Sequence, residues 1–139
     1  MPEGKVRVVW RHLSFIGADT QLAAEASECA AEQGQFWPYH DKLLEVQPER
    51  RNGGFAGERL KLYGAELRLD AASFDSCVDS GRYAPRVKAE TEVGRRKGVT
   101  KTPTLFVNGQ KLEGVPQPEA LDALISAALR TGRLGRSGA

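Results

Sequence analysis

The 139-residue sequence predicts an α/β fold built on a small mixed sheet. Three observations carry that reading. Val6, Val8, Val9 and Trp10 form a short apolar run of strand character near the start. Apolar residues then recur at helical spacing through five successive segments, as far as Gly98. Beyond Gly98 the period changes from 3.6 to 2 around Asn108-Gly109, and one more amphipathic helix follows.

Each element has its own local signal. The Val6–Trp10 strand is bounded by Gly4-Lys5 and by the polar pair Arg11-His12. Gln21 to Gln33 is rich in Ala and Glu, with Leu22, Ala26, Cys29 and Ala30 on one face and Gly34 as terminator. A second helix spans about Phe36 to Gln47, with Pro38 in its first turn and Phe36, His40, Leu43, Leu44 and Gln47 facing inward. Pro48 to Gly54 reads as a loop. Leu60, Tyr63 and Leu67 mark a third helix ending near Leu69. Asp70 caps a fourth, with Phe74, Cys77 and Val78 inside and Gly81 at its end. Pro85 opens a fifth helix that ends at Gly98 and carries Arg86, Lys88, Arg95, Arg96 and Lys97 on its polar face. Thr104–Val107 and Lys111-Leu112 flank Asn108-Gly109, a strong hairpin signal. The last helix starts near Pro118, with Leu121, Leu124, Ile125, Ala128 and Leu129 in one stripe.

The size suits one domain over residues 1–130, followed by a basic, flexible tail over 131–139. Hydrophobic residues are 40% and charged residues 27%, which fits neither a disordered chain nor a membrane span. Twenty Lys and Arg against 18 Asp and Glu give +2, and Arg130, Arg133 and Arg136 near the end account for that excess. A neutral body argues against nucleic acid as a partner. No apolar leader stands at the N-terminus, so no signal peptide is expected in these residues.

Few residues offer chemistry. The two cysteines, Cys29 and Cys77, have 47 residues between them, which excludes a Cys-rich zinc module and a Cys-x-x-Cys dithiol within these residues. Both sit on apolar helical stripes, where a thiol is unreactive, so neither is expected to be catalytic. The residues leave open a disulfide or two free core thiols. His12 and His40 are 28 positions apart with no carboxylate pattern, so no metal site is expected. His40 is expected on the inner helix face, and Trp10 and Trp37 are expected in the core. Thr102-Pro103 precedes the first hairpin strand, where proline is admissible because it donates no ladder bond. By base rate alone its peptide bond is trans. The Arg86–Lys101 cluster reads as a solvated face or as a surface for acidic peptides.

Four segments, in order, resemble the DsbA-like branch of the thioredoxin superfamily. They are Gly4–Val9, Ala26–Asp41 with its Glu-Gln-Gly-Gln-Phe-Trp, Phe74–Gly81, and Gly98-Val-Thr-Lys-Thr-Pro-Thr-Leu-Phe-Val-Asn-Gly109. The resemblance runs from about Lys5 to Leu129. It implies a thioredoxin-like fold with a helical insertion over about 20–98. It also implies a protein disulfide oxidoreductase without a cofactor, which takes extended polypeptides as substrates outside the cytoplasm. In that branch a first strand leads into Cys-x-x-Cys at a helix N-terminus, and no counterpart is present here. The chain is therefore expected to be an N-terminally truncated form, short of a βα unit of about 30 residues and inactive alone. The alternative is a non-catalytic peptide-binding module. By the same resemblance Cys29 and Cys77 form a structural disulfide. Thr102-Pro103 is cis, and the Thr102 backbone pairs with an extended substrate. The absent strand would lie between Val6–Trp10 and Thr104–Val107, so self-association through exposed strand edges is also expected.

Overall fold

The helix formers between Ala18 and Ala31 wind into α1, three residues earlier than the sequence pattern indicates. The structure is a computed structural model that describes residues 4–131. It continues with α2 (Phe36–Val46), a 3₁₀ segment (Gln47–Asn52), α3 (Gly57–Glu66), α4 (Ala71–Ser80) and α5 (Ala84–Arg96). The hairpin β1 (Thr104–Val107) and β2 (Gln110–Glu113) follows, and α6 (Pro118–Arg130) comes last. The expected tail beyond Thr131 lies outside the described residues.

By contacts the chain sorts into two compact units. One is Arg11–Val93; the other comprises the described parts of Met1–Trp10 and Gly94–Ala139.

In the helical unit α1 packs against α2, α3 and α4, and α3 packs against α4. Tyr39, Leu60, Phe74, Cys29 and Cys77 are fully buried at its centre. The Tyr39 and Phe74 rings lie 5.4 Å apart, and the Tyr39 hydroxyl donates to the Leu60 carbonyl at 2.8 Å. Burial, with a smaller contribution from Tyr63, raises the Tyr39 phenol far above its usual pKa. Asp70 caps α4 by accepting from the Ser73 amide at 3.0 Å, and Gly81 ends the helix at φ 65°.

Close approach at Gly64 sets the spacing of α3 and α4. A Cβ there would meet Phe74 ring atoms at 2.6 and 2.7 Å, and Phe74 is 1% exposed, so it cannot swing aside. Gly64→Ala is therefore expected to destabilise the helical unit by about 1–2 kcal/mol. Overpacking of about 1–3 kcal/mol outweighs alanine's helix preference of about 1. Urea denaturation checks this, and an unchanged midpoint contradicts it.

A carboxylate cluster fastens the end of α1. Arg82 Nε donates to Glu32 Oε2 at 3.1 Å and the Tyr83 hydroxyl donates to the same oxygen at 2.6 Å. Arg82 first, then Tyr83, holds the Glu32 carboxyl below its ordinary 4.5. Its folded pKa lies below its unfolded one, so its stabilisation is complete above about pH 4.5. That stabilisation is lost as pH falls through the folded value. Glu32→Gln is expected to flatten this part of the acid limb in melts between pH 3 and 6. An acid limb identical to that of the parent contradicts the assignment.

In the other unit β1 and β2 pair antiparallel in the register Thr104–Glu113, Leu105–Leu112, Phe106–Lys111 and Val107–Gln110. Asn108 and Gly109 take φ 48° and 89°, the two positive values that a two-residue hairpin turn requires. Leu105 and Leu112 face the half-buried side, while Phe106 and Lys111 face solvent.

Four sequence expectations are corrected here. Val6–Trp10 is not a strand: the sheet is the β1–β2 hairpin alone, with no parallel strand among the described residues, so it is not mixed. Val8, Val9 and Trp10 are 43–55% exposed. β propensity reflects fit to a neighbouring ladder, and no ladder among the described residues includes this run. Trp10 and Trp37 are not core aromatics, at 43% and 45% exposed. On α2 the inward stripe is Phe36, Tyr39, Leu43 and Val46, which leaves Leu44 and Gln47 outside. Pro48–Gly54, expected as a loop, instead begins as the 3₁₀ segment that Gly53 ends at φ 82°.

Candidate functional site

Thr102-Pro103 enters β1 directly, and both residues are exposed. Their peptide bond is cis. The Pro103 carbonyl accepts the Gly114 amide at 2.8 Å, which ties the entry of β1 to the exit of β2. Thr104 Oγ1 donates to the Lys101 carbonyl at 2.6 Å and closes the turn before the strand. With β2 on one side, the other edge of β1 pairs with no strand among the described residues. Such an edge offers main-chain donors and acceptors to an extended peptide.

Charge surrounds this edge. Lys111 Nζ lies 3.2 Å from Glu113 Oε1 and Lys101 Nζ lies 3.5 Å from Glu113 Oε2. Lys111, then Lys101, lowers the Glu113 pKa, so the carboxylate stays ionised at neutral pH. Lys111 Nζ also donates to the Gly98 carbonyl at 3.3 Å, and Lys97 Nζ stands 5.7 Å from the centre of the exposed Phe106 ring.

The cysteines lie in the helical unit. Cys29 of α1 and Cys77 of α4 form a disulfide with Cα atoms 5.8 Å apart, and each residue is 1% exposed. Among the described residues no free cysteine remains. A buried bridge presents no thiolate to a substrate.

A polar cluster escaped the sequence reading. His12 is 4% exposed, and its Nε2 lies 2.7 Å from Glu28 Oε1. Its amide donates to Glu90 Oε2 at 2.8 Å, and the Ser14 amide donates to Thr91 Oγ1 at 3.0 Å. Arg86 adds contacts of 3.5 Å to both Glu28 and Glu90. These bonds lay residues 12–14 across α1 and α5. No local signal foretold them, because the partners are 16 and 78 positions apart. His40 is half-buried on α2, stacked on Phe36 at 6.0 Å with Nδ1 at 3.0 Å from Asp41. Among the described residues no group of three or more His, Cys, Asp or Glu is arranged to hold a metal, and no helix is long and apolar enough to cross a membrane.

Comparison with known proteins gives this arrangement a family. The profile described as thioredoxin matches residues 1–127. The Na(+)/H(+) antiporter NhaA 3 of Salinispora tropica is 39% identical over 135 residues, 96% of this chain and 20% of that protein. The Na(+)/H(+) antiporter NhaA of Herminiimonas arsenicoxydans is 35% identical over 92% of this chain and 20% of its own length. Disulfide bond formation protein D of Bacillus subtilis is 23% identical over 92% of this chain and 59% of its own. The chain thus spans about a fifth of these antiporters and under two thirds of the disulfide formation protein. No solved structure matches it. The chain belongs to the thioredoxin superfamily, in its DsbA-like branch.

Proposed function

We propose that this chain is the substrate-holding part of a DsbA-like thiol–disulfide oxidoreductase, with no exchange chemistry of its own. One contrast supports the reading. Both cysteines are joined in a buried bridge, whereas Thr102 and Pro103 are exposed. Exchange starts from an accessible thiolate, lowered in pKa at a site such as a helix N-terminus, and neither sulfur has that setting. An extended polypeptide pairs with the Thr102 backbone, and redox turnover requires a Cys-x-x-Cys carried by another segment. Without that segment, the edge of β1 is where a second copy pairs. The setting is extracytoplasmic, where a bridge such as Cys29–Cys77 persists.

Insulin reduction by the 139-residue chain tests the first half, with a rate equal to the protein-free blank expected. A rate above the blank that is abolished in Cys29→Ala/Cys77→Ala overturns it, since these sulfurs would then carry exchange. A second reading, a non-catalytic peptide-binding module, draws on the similarity to regions of proteins named as antiporters. Under that reading peptide binding persists, and no added Cys-x-x-Cys segment brings activity.

A further inference from the structure

The apolar core of the helical unit is built from α1, α2, α3 and α4, with Phe55 and Leu69 from the connections between them. Among the described residues α5 adds nothing to that core, although its Val87 and Thr91 are buried. Polar side chains fasten it to α1.

Glu28 of α1 holds His12 Nε2 on one carboxylate oxygen at 2.7 Å and Arg86 Nη1 on the other at 3.5 Å. Glu90 of α5 accepts the His12 amide at 2.8 Å and lies 3.5 Å from Arg86 and 3.8 Å from Arg11. Thr91 accepts the Ser14 amide at 3.0 Å while its hydroxyl donates to the Val87 carbonyl at 2.8 Å. Just ahead of α5, Arg82 and Tyr83 reach Glu32 at the end of α1.

Position and energetics both set this arrangement apart from the core. Residues 11 and 93 are the two ends of the helical unit, and the bonds from His12 to Glu90 and from Ser14 to Thr91 tie one end to the other. Glu28 is 8% exposed, and taking a carboxylate out of water costs about what its pairing returns.

We propose that residues 11–14 and residues 84–93 of α5 form a charge-held clasp on α1, which opens as one unit while α1 to α4 stay folded. Opening returns Glu28, Glu90 and Arg86 to water, which offsets much of the lost pairing. The Cys29–Cys77 bond and the Tyr39–Phe74 contact are untouched by it. Both ends of the unit leave together, because the strap and the helix share Glu28, Glu90 and Thr91. A segment outside the apolar core opens at lower free energy than the core itself.

Native-state hydrogen exchange of the isotope-labelled 139-residue chain, in urea below its unfolding transition, tests the proposal. The amides of His12 and Ser14 donate to the Glu90 and Thr91 side chains, so their protection reports the closed clasp. These two and the amides of Val87, Glu90 and Thr91 are expected to share one opening. Its urea dependence is smaller than that of Cys29, Tyr63 and Cys77. Corrected for intrinsic rates, the clasp amides exchange roughly 10-fold or more faster than those core amides. Arg11 and Arg86 are more than half exposed, so raising salt from about 50 to about 500 mM speeds clasp exchange roughly 3-fold and leaves the core unchanged. Arg86→Gln, which takes a charge from both Glu28 and Glu90, speeds it by a similar factor.

One opening shared by clasp and core amides, with equal urea dependence, overturns the proposal. Protection of α5 while His12 and Ser14 exchange freely overturns it as well, since strap and helix then open apart. Salt or Arg86→Gln that moves clasp and core amides by the same factor, or moves neither, shows that charge does not hold the clasp.

Discussion

Loss of the Cys29–Cys77 bond is expected to destabilise the helical unit by about 3–4 kcal/mol, the chain-entropy value for a loop of this length. The bridge joins α1 to α4 through the centre of the core, where both residues are 1% exposed. Cys29→Ala/Cys77→Ala is the suitable variant, since serine would bury two hydroxyl groups there. For a chain of this size the loss lowers Tm by roughly 10 °C. Thermal melts of the variant and of the oxidised parent measure it. A shift under about 2 °C contradicts the view that the bridge constrains the unfolded chain. Because both sulfurs are buried, mild reductant is expected to leave the bond intact in the folded protein and to break it once urea has opened the unit.

The second large effect is catalytic. Fusing a strand–Cys-x-x-Cys–helix segment of the branch ahead of Lys5 is expected to bring insulin reduction from the blank to a measurable rate. An unperturbed thiol of pKa about 8.5 is only about 3% ionised at pH 7, whereas one lowered below 7 at a helix N-terminus is mostly thiolate. That difference raises the thiolate fraction about 10- to 30-fold over an ordinary free thiol, and the lower nucleophilicity of the less basic sulfur offsets only part of the gain. The fused protein carrying Cys29→Ala/Cys77→Ala is expected to keep its activity per folded molecule below its Tm. Thr102→Pro, which removes the amide facing an added strand, is expected to impair turnover, while Thr102→Ala leaves the backbone in place and turnover unchanged. An inactive fused protein that nevertheless binds peptide favours the non-catalytic reading.

Local chemistry made much of this legible from the sequence. Asn108-Gly109 names its own turn because few residues accept two successive positive φ values. Asp70 and Gly81 likewise announce the two ends of α4. The disulfide is of another kind: composition left Cys29 and Cys77 open between bridge and free thiols, and the family resemblance pointed to the pair. What periodicity missed depends on neighbours distant in sequence. Val6–Trp10 has the side chains of a strand, but strandedness belongs to a ladder and not to a segment. On α2 the pattern placed Leu44 inside and left out Tyr39, because the helix carries apolar residues on several sides and only the packing chooses among them. Glu25 and Glu28 look like solvent-facing positions of α1, yet both are buried, Glu28 against His12 and Arg86.

The most direct test of a substrate-holding edge on a chain without reactive sulfur is amide chemical-shift mapping of the labelled 139-residue protein with an unlabelled extended peptide. Perturbations are expected at Thr102 and its neighbours Lys101 and Thr104, beside the cis peptide bond, with the amides of Cys29 and Cys77 unmoved. Shifts centred on α1 and α4, or none at peptide concentrations up to about 1 mM (~4 kcal/mol of binding), contradict the account.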